Sequence, residues 1–107
     1  MIHLPTATAS GTSFHGTTFK ATPNQLINSL GEIDYEGSGD DKTSMEWVRE
    51  LDSADIFTIY DWKYYRKIDM DEEIEWNIGG YNKKVTELAK EEIIMLLSKW
   101  EKFYLEF

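Results

Sequence analysis

The sequence predicts an α+β domain: an antiparallel sheet of about four strands with a long C-terminal helix packed on one face. Three observations carry that expectation. Ile56–Trp62 and Ile74–Ile78 read as two strands joined by a charged turn, Met45–Leu51 alternates in period two just before them, and residues after Gly80 switch to helical spacing. The element order is β-α-β-β-β-α, with residues 1–13 as a flexible N-terminal segment and 14–107 as one domain.

Residues 1–13 are small and polar and suit a flexible lead-in or an edge segment. Phe14–Thr22 is β-branched and aromatic and reads as the first strand. Thr22-Pro23 starts a helix, with Thr22 as N-cap, Pro23 at the first helical position and Gln25 completing a capping box; Gly31 stops it. Leu26, Ile27 and Leu30 share one face. Glu32–Thr43 reads as a loop, with Gly37, Ser38, Gly39, Asp40 and Asp41 as turn formers. In the next strand Met45, Trp47 and Leu51 lie on one side. Asp52–Asp55 is short enough for a hairpin connection. Ile56–Trp62 is apolar on both faces and suits a central strand. Ile74, Trp76 and Ile78 alternate with Glu75 and Asn77, and Gly79-Gly80 reads as a stop. Asn82 can cap the last helix, along which Val85, Ala89, Ile93, Leu96, Trp100, Phe103 and Phe107 form a stripe. Ile94, Leu97 and Tyr104 widen it beyond what four strands cover, which makes this helix a candidate homodimer contact.

Composition sets limits on function. The chain has 107 residues, 41% of them apolar and 15 aromatic, so disorder throughout is not expected. It has no cysteine, which excludes disulfides and thiolate chemistry. No apolar run is long enough to span a membrane, and the N-terminal residues lack the basic start and apolar stretch of a signal peptide, so a cytoplasmic location is expected. The formal charge is −9. Residues 31–75 hold 15 acids against Lys42, Arg49, Lys63, Arg66 and Lys67, a local balance of −10. Direct binding to nucleic acid needs the opposite sign. An acidic patch attracts a basic protein surface instead, or serves only to keep an aromatic-rich chain soluble.

No catalytic pattern emerges. Gly37–Lys42 lacks the alternating ligands and terminal Glu of a calcium loop. The acids Asp69, Asp71, Glu72, Glu73 and Glu75 could pair for hydrolysis, but a run at a strand entrance reads better as a solvated turn. His3 and His15 match no metal spacing, and no nucleophile-elbow pattern surrounds a serine or threonine. The protein is expected to be non-enzymatic and to need no cofactor.

Two groups of residues have binding logic. Trp62, Tyr64 and Tyr65, followed by Arg66 and Lys67, combine the residue types common at interface hot spots. With Asp40, Asp41, Asp61, Asp69, Asp71, Glu72 and Glu73 around them they make a candidate partner-binding face; the competing reading places Trp62 or Tyr64 in the core. Gly79, Gly80, Lys83 and Lys84 make a candidate anion site, with glycines admitting an anion to free N–H groups at a helix start; the competing reading is a glycine turn followed by solvated lysines.

The motifs F-H-G-T-x-F (Phe14–Phe19), G-S-G-D-D-K-T-x-x-E-W (Gly37–Trp47), I-Y-D-W-K-x-Y (Ile59–Tyr65) and E-W-N-I-G-G (Glu75–Gly80) together resemble a group of small bacteriophage proteins. The resemblance covers residues 14–80 and carries no catalytic residues with it. It implies an inhibitor of host machinery: an anti-CRISPR or other anti-defence protein in the cytoplasm of an infected bacterium, mimicking nucleic acid toward a nuclease with a basic surface. The alternative it implies is a sponge for a nucleotide second messenger, holding phosphate at Gly79, Gly80, Lys83 and Lys84.

Overall fold

A computed structural model describes residues 2–36, 43–64 and 66–105, with side chains up to residue 99. Asp40, Asp41 and Tyr65, and the side chains of Trp100, Phe103, Tyr104 and Phe107, lie outside the described residues.

The elements run β1 (Ile2–His3), β2 (Ser13–Ala21), α1 (Pro23–Leu30), β3 (Tyr35–Glu36), β4 (Met45–Leu51), β5 (Ile56–Tyr60), β6 (Ile74–Gly80) and α2 (Lys83–Leu105). The sheet is antiparallel, in the order β1-β4-β5-β6-β2, with β3 also paired to β4. The α+β class and the long helix on the sheet are as the sequence predicts. The strand count is six rather than about four, because two two-residue strands share one edge of β4. Tyr35 and Glu36 pair with Glu46 and Met45 within the stretch expected to be all loop. Ile2 and His3 pair with Leu51 and Glu50 at the other end of that edge.

Helix α1 has the bounds its sequence signals predict. The Thr22 hydroxyl accepts the Gln25 N–H (3.1 Å) and the Gln25 side chain accepts the Thr22 N–H (2.8 Å), completing the capping box. Gly31, at φ 93°, ends it with its N–H on the Ile27 carbonyl (2.9 Å). Leu26 and Leu30 are buried and Ile27 packs beside them. Helix α2 begins where Asn82 Oδ1 accepts the Val85 N–H (2.9 Å) and lies against β2, β5, β6 and α1.

The core lies between the helices and one face of the sheet, around Trp47, Trp76, Phe57, Ile59, Ile78, Ala89 and Ile93. The two indoles meet edge to face, centroids 5.4 Å apart. Trp76 Nε1 donates to the Ala21 carbonyl and Trp47 Nε1 to the Gly31 carbonyl, both at 2.9 Å, so they fasten the two ends of α1 to the sheet.

Arg49 stands in β4 at a core-facing position and is 2% exposed. Its guanidinium donates to the carbonyls of Leu30 (2.8 Å), Glu32 (3.1 Å) and Val48 (2.7 Å) and to the Asp34 carboxylate. Asp34 also accepts the Val48 N–H at 2.8 Å. Arg49 therefore satisfies carbonyls at the end of α1 that no later helical turn can reach.

The segment between β1 and β2 has to pass from one edge of the sheet to the other. Thr6 donates its N–H (3.2 Å) and hydroxyl (2.7 Å) to the carboxylate of Glu50 on the face away from the helices. At its far end Gly11, at φ 88°, lies against the Tyr81 ring. β2 is the opposite edge; its register shifts between Phe14 and Thr18, where Gly16 has φ 88°. A bulge at an edge strand resists pairing with other chains.

Candidate partner-binding surface

The face away from the helices and the β5–β6 loop hold the residues with binding logic. β5 ends at Tyr60, two residues earlier than Ile56–Trp62 suggests, and Asp61 supplies the reason. Its carboxylate accepts the N–H groups of Ser44 and Met45 (both 2.8 Å) and the Ser44 hydroxyl, and its residue is 1% exposed. Asp61 is thus the anchor of the start of β4 and is removed from the binding face. The chain then turns outward through Lys63 at φ 59° and leaves Trp62 45% exposed. The Trp62 ring meets Tyr60 edge to face, centroids 6.2 Å apart, and Lys63 Nζ lies 5.8 Å from its centroid.

From there to β6 the loop is tied at several points. The Tyr64 hydroxyl accepts the Glu75 N–H (3.1 Å), and its half-buried ring packs on the core beneath the Arg66 guanidinium, 5.6 Å from the centroid. Arg66 makes a two-pronged contact with the Glu72 carboxylate, which holds that carboxyl below its ordinary range. Ile68 is buried. Asp69 accepts the N–H of Asp71 on its side chain (2.8 Å) and of Glu72 on its carbonyl (3.1 Å). Asn24 at the start of α1 donates its side-chain N–H to Asp71 (2.7 Å) and its backbone N–H to the Met70 carbonyl (3.0 Å). Of the aromatics and acids assigned here from sequence, Tyr64 is a structural pin. Trp62, Asp69, Asp71 and Glu73 face solvent, and Glu72 is half-buried.

A second group was not legible in the sequence. Glu46 in β4 lies opposite Tyr35 in β3 on one side and Tyr60 in β5 on the other. Burial, and secondarily the charge of Asp34, raises the Glu46 carboxyl above its ordinary range. Burial and then Glu46 raise the Tyr60 phenol in the same way. The available signals were the alternation of Met45-Glu46-Trp47, which turns Glu46 away from the core, and the two-residue step from Tyr60 to Trp62.

The candidate anion site does not assemble. Gly79 and Gly80 are strand residues, not a turn: Gly79 pairs with Phe14 and Thr58, and Gly80 with Ser13. Both are buried, and Lys83 and Lys84 are exposed beyond them at the helix start, where Asn82 already fills the cap. Glycine is required here by close approach. A Cβ on Gly79 would stand 2.5 Å from Thr58 Oγ1, and one on Gly80 3.0 Å from Thr86 Cγ2. Gly79→Ala is expected to cost about 2 kcal/mol in denaturant unfolding. The double variant with Thr58→Ala should recover part of the loss, because the clashing oxygen is then gone.

His15 Nε2 donates to the Gly80 carbonyl (3.1 Å) and lies 3.2 Å from the Ser13 hydroxyl, and His3 pairs with Asp52 beside the β4–β5 hairpin. Among the described residues no cluster of three His, Asp or Glu side chains is placed to hold a metal, and no helix is long and apolar enough to cross a membrane. No protein-family model, curated protein or solved structure matches this chain.

Proposed function

We propose that this protein is a non-enzymatic binder of a basic protein surface. In the setting its sequence resemblance implies, the partner is a bacterial defence or other nucleic-acid-processing protein that a phage product occupies in place of nucleic acid. The observation that carries the reading is the β5–β6 loop. Ties from Arg66 to Glu72, Tyr64 to Glu75 and Asn24 to Asp71 hold it in one shape. In that shape it presents Trp62, Asp69, Asp71 and Glu73 outward. A loop ordered before binding loses less entropy on association, and carboxylates around an exposed indole suit an anchor with a charged rim. The charge imbalance of residues 31–75 would speed encounter with a basic partner and make it salt-sensitive.

Capture of partners from host lysate on the tagged protein, at low and raised salt, tests this. A nucleic-acid-binding protein retained at low salt and released at high salt is the expected result. Glu73→Lys, which breaks none of the ties above, should slow association with that protein about fivefold, the scale of one exposed ion pair turned repulsive. The combined Asp71→Lys, Glu72→Lys and Glu73→Lys variant should bind weakest. Unchanged binding in both variants would remove the acidic mechanism. A homodimer would have its contact on α2, where Leu88, Ile94 and Met95 are exposed.

A further inference from the structure

Glu46 differs from the other buried and half-buried acids around it. Glu50 receives two donors from Thr6, Asp55 the Ser53 hydroxyl, Asp61 three donors from Ser44 and Met45, and Glu72 the Arg66 guanidinium. Among the described residues no donor and no cation meets the Glu46 carboxylate. Arg49, the arginine of the same strand, faces the core and is spent on Asp34 and on backbone carbonyls. Holding a carboxylate half out of water where no described group compensates it costs free energy, and burial raises the proton affinity of Glu46 accordingly.

Its neighbours suggest what compensates it. Tyr35 and Tyr60 are its direct cross-strand partners, and side chains so paired lie about 5 Å apart at Cβ. Tyr35 is 47% exposed, and Trp62 extends the row beyond Tyr60. The chain's own Lys63 over Trp62 shows that this aromatic row accepts a cation. A carboxylate between two aromatic side chains is the complement of a guanidinium. That group is planar, stacks on rings, gives paired N–H donors to a carboxylate, and is less strongly hydrated than an ammonium, so it enters a half-buried position more readily.

We propose that the sheet face around Glu46 is a receiving site for an arginine side chain of the protein partner, stacked between Tyr35 and Tyr60 with its guanidinium on the Glu46 carboxylate. The inference rests on the reading of the protein as a binder of a basic protein surface and assigns it a specific contact next to the loop.

The test is an NMR titration of the full chain with a blocked peptide of alternating glycine and arginine, and with its lysine counterpart. The arginine peptide should shift resonances of Tyr35, Glu46 and Tyr60 and bind several-fold tighter than the lysine peptide. Glu46→Gln, which keeps the side-chain shape, should weaken arginine-peptide binding about tenfold, the scale of one charge-assisted contact. The same variant provides a folding control with a definite sign. A carboxyl whose folded-state pKa is raised favours the fold below its unfolded pKa and loses that contribution as pH rises through the folded value. Glu46→Gln should therefore unfold at a higher temperature than the native protein at neutral pH, with the gap closing on acidification. Shifts confined to residues 69–73, with Glu46→Gln binding unchanged, would overturn the arginine site and leave the acidic-loop reading standing. Absence of binding by either peptide would also overturn it, and the lysate capture would decide the wider reading separately.

Discussion

Trp76→Ala is expected to lose about 4 kcal/mol of stability, a large fraction of what a domain of this size holds. The indole is wholly buried in β6, facing Phe19 across the β2–β6 ladder and meeting Trp47 edge to face. Truncation removes the apolar area, ends the ring–ring contact and leaves the Ala21 carbonyl without its donor. Ala21 directly precedes the Thr22 cap, so the start of α1 loosens as well. Trp76→Phe separates these contributions: it keeps much of the area and loses the N–H, and should cost about half as much. Denaturant unfolding followed by far-ultraviolet circular dichroism would rank the native protein above Trp76→Phe and Trp76→Phe above Trp76→Ala. Equal midpoints for the two variants would mean that the ring contributes nothing beyond its hydrogen bond.

Arg49→Met should cost about 3 kcal/mol even though methionine fills much of the same space. The loss comes from carbonyls rather than from packing. Leu30 and Glu32 each lose a buried donor, and Asp34 keeps its carboxylate with only the Val48 N–H beside it. Arg49→Lys should recover little, because one ammonium cannot reach several acceptors that a planar fork reaches together. The effect should also be local. Amide exchange should speed at the end of α1 and in β3 before it speeds in β5 and β6, since only the former depend on the guanidinium. Uniform acceleration across the sheet would show Arg49 to be an ordinary core residue.

Where both the cause and the element are local, the sequence is readable. The Thr22–Gln25 box, Pro23 and Gly31 bound α1, Asn82 starts α2, and period-two alternation delimits β4. Strands β1 and β3 are too short for any period to register, and they exist because β4 offers its edge. Arg49 breaks the apolar alternation of β4, and nothing nearby announces that the end of a helix some twenty residues earlier needs its donors. Asp61 looked like a surface acid because the amides it accepts belong to Ser44 and Met45. Gly79 and Gly80 looked like a turn because glycine usually marks one, whereas here Thr58 and Thr86 leave room for nothing larger. The same limit explains the binding surface. Trp62 was legible as a binding candidate, though the expected strand Ile56–Trp62 ran through it, but Glu46 becomes a site only when three strands bring Tyr35 and Tyr60 to its sides.

The position of β2 sets an order of events. It emerges from the ribosome well before β6, yet β6 is its ladder partner, with Phe19 facing Trp76 across more than half the chain. Contacts that distant in sequence close slowly, whereas the β4–β5 hairpin closes over a four-residue turn. The nascent N-terminal third is therefore expected to keep Phe19 and Leu26 uncovered until the middle of the chain has formed a template. Docking of β2 and α1 onto that template is expected to follow the closing of the β4–β5 hairpin.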